Sequence, residues 1–170
     1  MIRNGMHALD FHGPALVGGA LTYLRGTRYI DQVVALCFLP YAGIVSADMI
    51  DRHARNFHDI DAALLIVASG TRPLHRLWGD QQANPLTPIL ADLCGRFHRA
   101  FGVAVVELAQ RCHTFVIDRT GLLRLRVSHD FVEHDLSVLR EVIGSSQSRM
   151  TEAPASEVEG VTAGIAYLPV

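Results

Sequence analysis

Two uninterrupted apolar runs, Val33 to Leu39 (VVALCFL) and Ala63 to Ser69 (ALLIVAS), constrain this chain more than any other feature. Each is of strand length and lacks the polar alternation of a half-exposed strand, so each reads as a central strand covered by helices on both faces. Between them Ser46 can cap a helix whose Ile50, Ala54 and Phe57 recur at helical spacing, with Asp51 and Arg55 forming an exposed i,i+4 pair. A strand, helix and strand in this order belong to an α/β domain.

The rest of the chain extends the pattern. Gly70 to Pro73 is a turn, and Pro73 suits the first position of a second helix carrying Leu74, Leu77 and Trp78. After a break at Asn84 to Pro88, Asp92 is placed to cap a helix bearing Leu93, Phe97 and Phe101, ended by Gly102. His113 to Asp118 and Leu122 to Val127 flank a hairpin turn in which Gly121 can take positive φ, and Leu123, Leu125 and Val127 alternate with Arg124 and Arg126. A last helix from about Glu133 to Ile143 sets Leu136, Leu139 and Ile143 on one side, with Gly144 as its stop. Residues 1–143 therefore read as one domain. Residues 144–170 read as a flexible tail, rich in Ser, Glu, Ala and Pro up to residue 160, whose apolar end, Val161 to Val170, is expected to dock, with a second subunit as the candidate.

Composition narrows the function. With 170 residues, 49% of them hydrophobic, the chain can bury a core without metal or disulfide staples. A net charge of -2, with no lysine, gives neither a basic face for nucleic acid nor a polybasic run for an anionic membrane. Met1 to Phe11 does not resemble a secretory signal, and no apolar run is long enough to span a bilayer, so a soluble cytoplasmic protein is expected. Cys37, Cys94 and Cys112 are odd in number and widely spaced, which suggests reduced thiols in place of a disulfide framework or zinc site. Cys37 and Cys94 are expected to pack as small buried hydrophobes, Cys37 with an inert thiol. His53 and His58, five apart, do not share a helix face and read as solvated, and Gly18-Gly19 lacks the context of a phosphate loop. No cofactor and no metal is expected.

The segments VVALCFLPYAG, LLIVASGTRPLHRLW, PLTPILADLCGRFHRAFGV and HTFVIDRTGLLRLR, in this order, resemble the peroxiredoxin family of thiol peroxidases, the AhpC/TSA type. The matching residues are Phe38 with Pro40, Ser69, His75 with Trp78, Pro88 with Asp92, Phe101 with Gly102 and Val103, and Thr114 to Gly121. The resemblance implies a thioredoxin-like fold, a central mixed β-sheet with helices on both faces, and a homodimer with antioxidant, oxidoreductase-type relatives. In the family pattern a Thr lies four and a Cys seven residues after the Pro; those positions are Ile44 and Ala47 here. A methyl group cannot attack an O–O bond, and Ser46, one residue away, is an alcohol better read as a helix cap. The family Arg position is occupied by Cys112, with Arg111 beside it. The site implied by the family, at Pro40, Ile44, Ser46 and Ala47, is thus vacated. The expected function is that of a degenerate thiol peroxidase acting as a redox-related binding or regulatory module. The alternative is an active thiol peroxidase or oxidoreductase that uses Cys112, with Arg111 stabilising its thiolate.

Overall fold

The computed structural model describes residues 2–39, 47–69, 87–104, 111–130, 132–150 and 166–167. Its strands are β1 (His12–Val17), β2 (Ala20–Arg25), β3 (Val33–Phe38), β4 (Ala62–Ser69), β5 (Ile89–Asp92), β6 (Cys112–Ile117), β7 (Leu123–His129) and β8 (Ala166–Tyr167). They form one mixed sheet in the order β2-β1-β5-β4-β3-β6-β7-β8. The helices are α1 (Ala47–His58), α2 (Arg96–Phe101) and α3 (Glu133–Met150).

Both apolar runs are central, as the sequence predicts. β3 pairs in parallel with β4, from Val33 opposite Ala62 to Phe38 opposite Val67, and antiparallel with β6 on its other side. The period of two along each strand divides the core into layers. Val33, Ala35, Cys37 and Leu39 join Leu64, Ile66 and Ala68 on one face, where Ile50 and Phe57 of α1 and Leu136, Leu139 and Ile143 of α3 cover them. Val34, Leu36 and Phe38 join Leu65 and Val67 on the other, under Ala8, Leu9 and Phe11 and under Phe97 and Phe101 of α2. Phe38 anchors this second layer through tilted and edge contacts with Phe101 and Phe115.

The hairpin of β6 and β7 is present, and Gly121 has φ +83° as its turn requires. Asp118 organises that turn: one carboxylate oxygen accepts hydrogen bonds from the Thr120 amide, the Thr120 hydroxyl and the Leu122 amide, and the other from Arg124. The expected alternation along β7 is broken by an irregularity. Val116 pairs with Leu125 but Ile117 pairs with Leu123, so Arg124 is the extra residue. Leu123 therefore packs in the second layer while Leu125 and Val127 lie against the first.

Several expectations are corrected. Asp92 does not sit at a helix N-cap; it ends β5, and α2 opens later, after Gly95 at φ +66°. Gly144 does not stop α3, which continues to Met150. A mid-helix glycine costs only about 1 kcal/mol relative to alanine, and the Ser145 hydroxyl donates back to the carbonyls of Glu141 and Val142. Asp51 is half-buried and accepts hydrogen bonds from the Thr87 amide and hydroxyl, which ties α1 to the approach to β5. Gly18 and Gly19, both at positive φ, turn β1 into β2, a hairpin that the sequence reading does not contain. The helix expected after Pro73 lies outside the described residues, as does most of the tail; its Ala166 and Tyr167 pair with Ser128 and Val127 of β7. Among the described residues no helix is long and apolar enough to cross a membrane.

Candidate functional site

Ala47 is the first residue of α1, at the C-terminal side of β3. Pro40, Ile44 and Ser46 lie outside the described residues. Cys112 is the first residue of β6, is fully buried and belongs to the same apolar layer as Ile50 of α1. Arg111 precedes it, with its Nε 3.7 Å from a carboxylate oxygen of Asp130 and its side chain 38% exposed.

β3 and β6 bring a second thiol to Cys112. Cys37 faces Thr114 across the strand pair, so Cys112, two residues earlier on β6, is its diagonal neighbour on the same face. On the far side of β6, Cys112 pairs with His129 of β7. The Thr114 hydroxyl lies 2.8 Å from Nε2 of His129, whose Nδ1 donates to the Asp130 carbonyl at 2.8 Å. Cys37, Cys112 and Thr114 are fully buried, and so is His129. The hydrogen bond from the Cys112 thiol holds the Cys37 thiol well below the ordinary thiol range against the opposing effect of burial, and His129 and Thr114 add to it. Cys112 is pushed the other way by the same hydrogen bond, by burial and by the charge of Cys37. Burial would lower the pKa of His129, but its contact with Cys37 and its bond to the Asp130 carbonyl raise it. The contact between the two thiols thus pushes them in opposite directions, Cys37 down and Cys112 up.

A second buried polar pair lies in the other layer. Oδ2 of Asp92 accepts hydrogen bonds from the His98 amide at 2.9 Å and from Nδ1 of His98 at 2.5 Å. The Phe97 amide donates to this carboxylate as well, and together these bonds lower the Asp92 pKa although burial alone would raise it. The His98 ring meets Phe38 edge-on, 5.0 Å between centroids. Asp92 thus steadies the first turn of α2 from the strand before it. Sequence reasoning missed His98; the signal available was a histidine three residues before Phe101 on a short amphipathic helix.

Cys94 is exposed, contrary to the expected burial, because it lies in the turn ahead of Gly95 and outside the helical stripe. His53 is buried, contrary to the expected solvated face: it falls between Ile50 and Phe57 on the apolar stripe of α1. His58 is exposed. Among the described residues no group of three or more His, Cys, Asp or Glu side chains is arranged to hold a metal ion.

No protein-family model matches the chain. Alkyl hydroperoxide reductase E of Mycobacterium tuberculosis is 33% identical over 111 residues, which cover 61% of this chain and 71% of that protein. The chain belongs to the peroxiredoxin family. Peroxiredoxin-2 of Pongo abelii is 29% identical over 152 residues, 82% of each chain. The peroxiredoxin fold is seen directly in solved structures: AhpC of Enterococcus faecalis superimposes with a TM-score of 0.69 at 17% identity, covering 94% of this chain and 100% of that one. AhpC of Mycobacterium tuberculosis gives 0.67 at 18% identity, covering 88% and 95%. A thioredoxin-like α/β fold of the peroxiredoxin type is thereby established for this chain.

Proposed function

We propose that this peroxiredoxin-family protein has lost the peroxide-reducing chemistry at the family site and acts as a redox-related binding or regulatory module, a homodimer of the cytoplasm. The observation that carries the reading is the residue at the start of α1. Peroxide reduction needs a thiolate where the first-turn amides and a nearby cation can stabilise it, and Ala47 offers a methyl group. Cys112, the other candidate, supports the same reading: it is fully buried, and its hydrogen bond with Cys37 together with burial raises its pKa. Arg111 is 3.7 Å from Asp130, and its charge opposes but does not outweigh the rise at Cys112.

The test is consumption of hydrogen peroxide and of an organic hydroperoxide by stopped flow, with mass spectrometry of the three cysteines. Oxidation of all three no faster than free cysteine is the expected result. Rapid turnover with selective oxidation of Cys112, lost in Cys112→Ser, would overturn the reading in favour of a displaced peroxidatic thiol.

A further inference from the structure

Two fully buried thiols in contact, with an imidazole beside them, are more than core packing requires. Alanine or valine would fill the same space on β3 and β6 without a group that can be oxidised. The ladder also treats the two residues differently. Cys37 lies inside the β3–β6 pairing, with Leu36 opposite Phe115 on one side and Phe38 opposite His113 on the other. Cys112 lies one residue beyond that last rung and is held in the sheet by its terminal pairing with His129. The residue before it, Arg111, is partly exposed. Opening the end of β6 therefore frees Cys112 while Cys37 stays in place, since strand ends open at far lower cost than whole domains.

We infer that Cys37 and Cys112 form a redox pair that closes to an internal disulfide when a small-molecule disulfide reaches Cys112 through opening of the start of β6, with His129 taking the proton from Cys37. Away from Cys37 and out of the core, Cys112 loses the contacts that retain its proton and reacts as an ordinary thiol. Its thiolate attacks one sulfur of the small disulfide; that S–S bond breaks and the first small thiolate leaves. As β6 closes again, the Cys37 thiolate attacks the Cys112 sulfur of the mixed disulfide and expels the second small thiolate. Two protein thiols are oxidised by two electrons, one small disulfide is reduced to two thiols, and the two protons released by the cysteines end on those thiols.

Geometry permits the bond with a small shift. Diagonal residues on antiparallel strands have Cα atoms about 7–8 Å apart, and a disulfide spans at most about 6.8 Å. Cys112 must therefore move toward Cys37 by roughly an ångström, a displacement open to a strand-terminal residue and not to one inside the ladder. The oxidation goes beyond the proposed function and does not depend on it, because it uses neither Ala47 nor a peroxide.

The test uses the full chain carrying Cys94→Ser, which removes the exposed competing thiol. It is incubated with oxidised glutathione while exchange of the Cys112 amide is followed in parallel, then unfolded in the presence of an alkylating agent. The expected product has lost both thiols and two hydrogens of mass, and peptide mapping joins the Cys37 peptide to the Cys112 peptide; dithiothreitol reverses it. Cys37→Ala on the same background is expected to stop at a glutathione adduct on Cys112. If the Cys112 amide exchanges and both thiols are still alkylated, the pair does not close. If that amide stays protected and neither thiol reacts, the entry route is absent; either result overturns the inference. Peroxide consumption, measured separately, reports on the proposed function alone.

Discussion

Replacing Asp92 with alanine tests how α2 is held against the sheet. The carboxylate is 3% exposed and receives three donors: the amides of Phe97 and His98 and Nδ1 of His98. Each buried donor left without an acceptor costs about 1–3 kcal/mol. Water reaching the turn at Leu93 and Cys94 recovers part of that loss, so a net destabilisation of about 3–5 kcal/mol is expected for the three donors together. In a chain of this size that lowers the melting temperature by roughly 10 °C. Urea unfolding followed by circular dichroism measures it. Asp92→Asn should cost less, because its carbonyl can still accept from the two amides. The pH profile carries a second signature. The folded-state pKa of Asp92 is depressed, so its stabilisation is present above the unfolded-state carboxylate pKa and is lost as pH falls through the folded-state value. Wild type and Asp92→Asn should therefore converge in strongly acidic solution. A loss below about 1 kcal/mol for Asp92→Ala, the scale of an ordinary surface substitution, would refute the reasoning.

Two further substitutions probe the packing and the vacated site. Gly26→Ala places a Cβ 2.3 Å from the Leu9 carbonyl oxygen and 2.7 Å from the Phe11 ring; backbone cannot yield as a side chain can, and a loss of about 3 kcal/mol in urea unfolding is expected. Ala47→Cys alone should consume hydroperoxide little faster than free cysteine, since Ile44 supplies no hydroxyl to orient the peroxide. Adding Ile44→Thr should raise the rate, by roughly 100-fold if that donor acts as preorganised donors usually do, and stopped-flow kinetics on both variants checks it.

The sequence exposed the frame of the fold because the central strands have only one reading: seven consecutive apolar residues from Val33 to Leu39 cannot present a polar face. The first hairpin escaped for the opposite reason. β2 is exposed at Ala20, Leu21, Thr22 and Tyr23, so its residues carry no burial alternation. The Gly18-Gly19 pair was nevertheless a valid signal for a two-residue turn. Asp92 misled because the same residue type suits a helix cap and a strand end. The four-residue strand before it, ILAD, is too short for periodicity to decide. Ala47 and the replacement of the family Arg by Cys112 could be read by counting along motifs. The partnership of Cys112 with Cys37 and His129 could not, because it depends on strand register across 75 residues of chain, from Cys37 to Cys112.

The two margins of the sheet are unlike. At one, β8 lies beside β7, with Tyr167 opposite Val127 and Ala166 opposite Ser128. At the other, β2 pairs only with β1 among the described strands and shows Leu21 and Tyr23 to solvent, 60% and 59% exposed. Margins left bare on both sides let sheets add copies without limit, the route to fibres. Here the outermost strand on one side, β8, is only two residues long, and a very short edge strand is one of the ways a margin is blunted. Adhesion of β2 to the β2 of a second copy would join two molecules about a two-fold axis, consume both sticky margins in doing so, and end there.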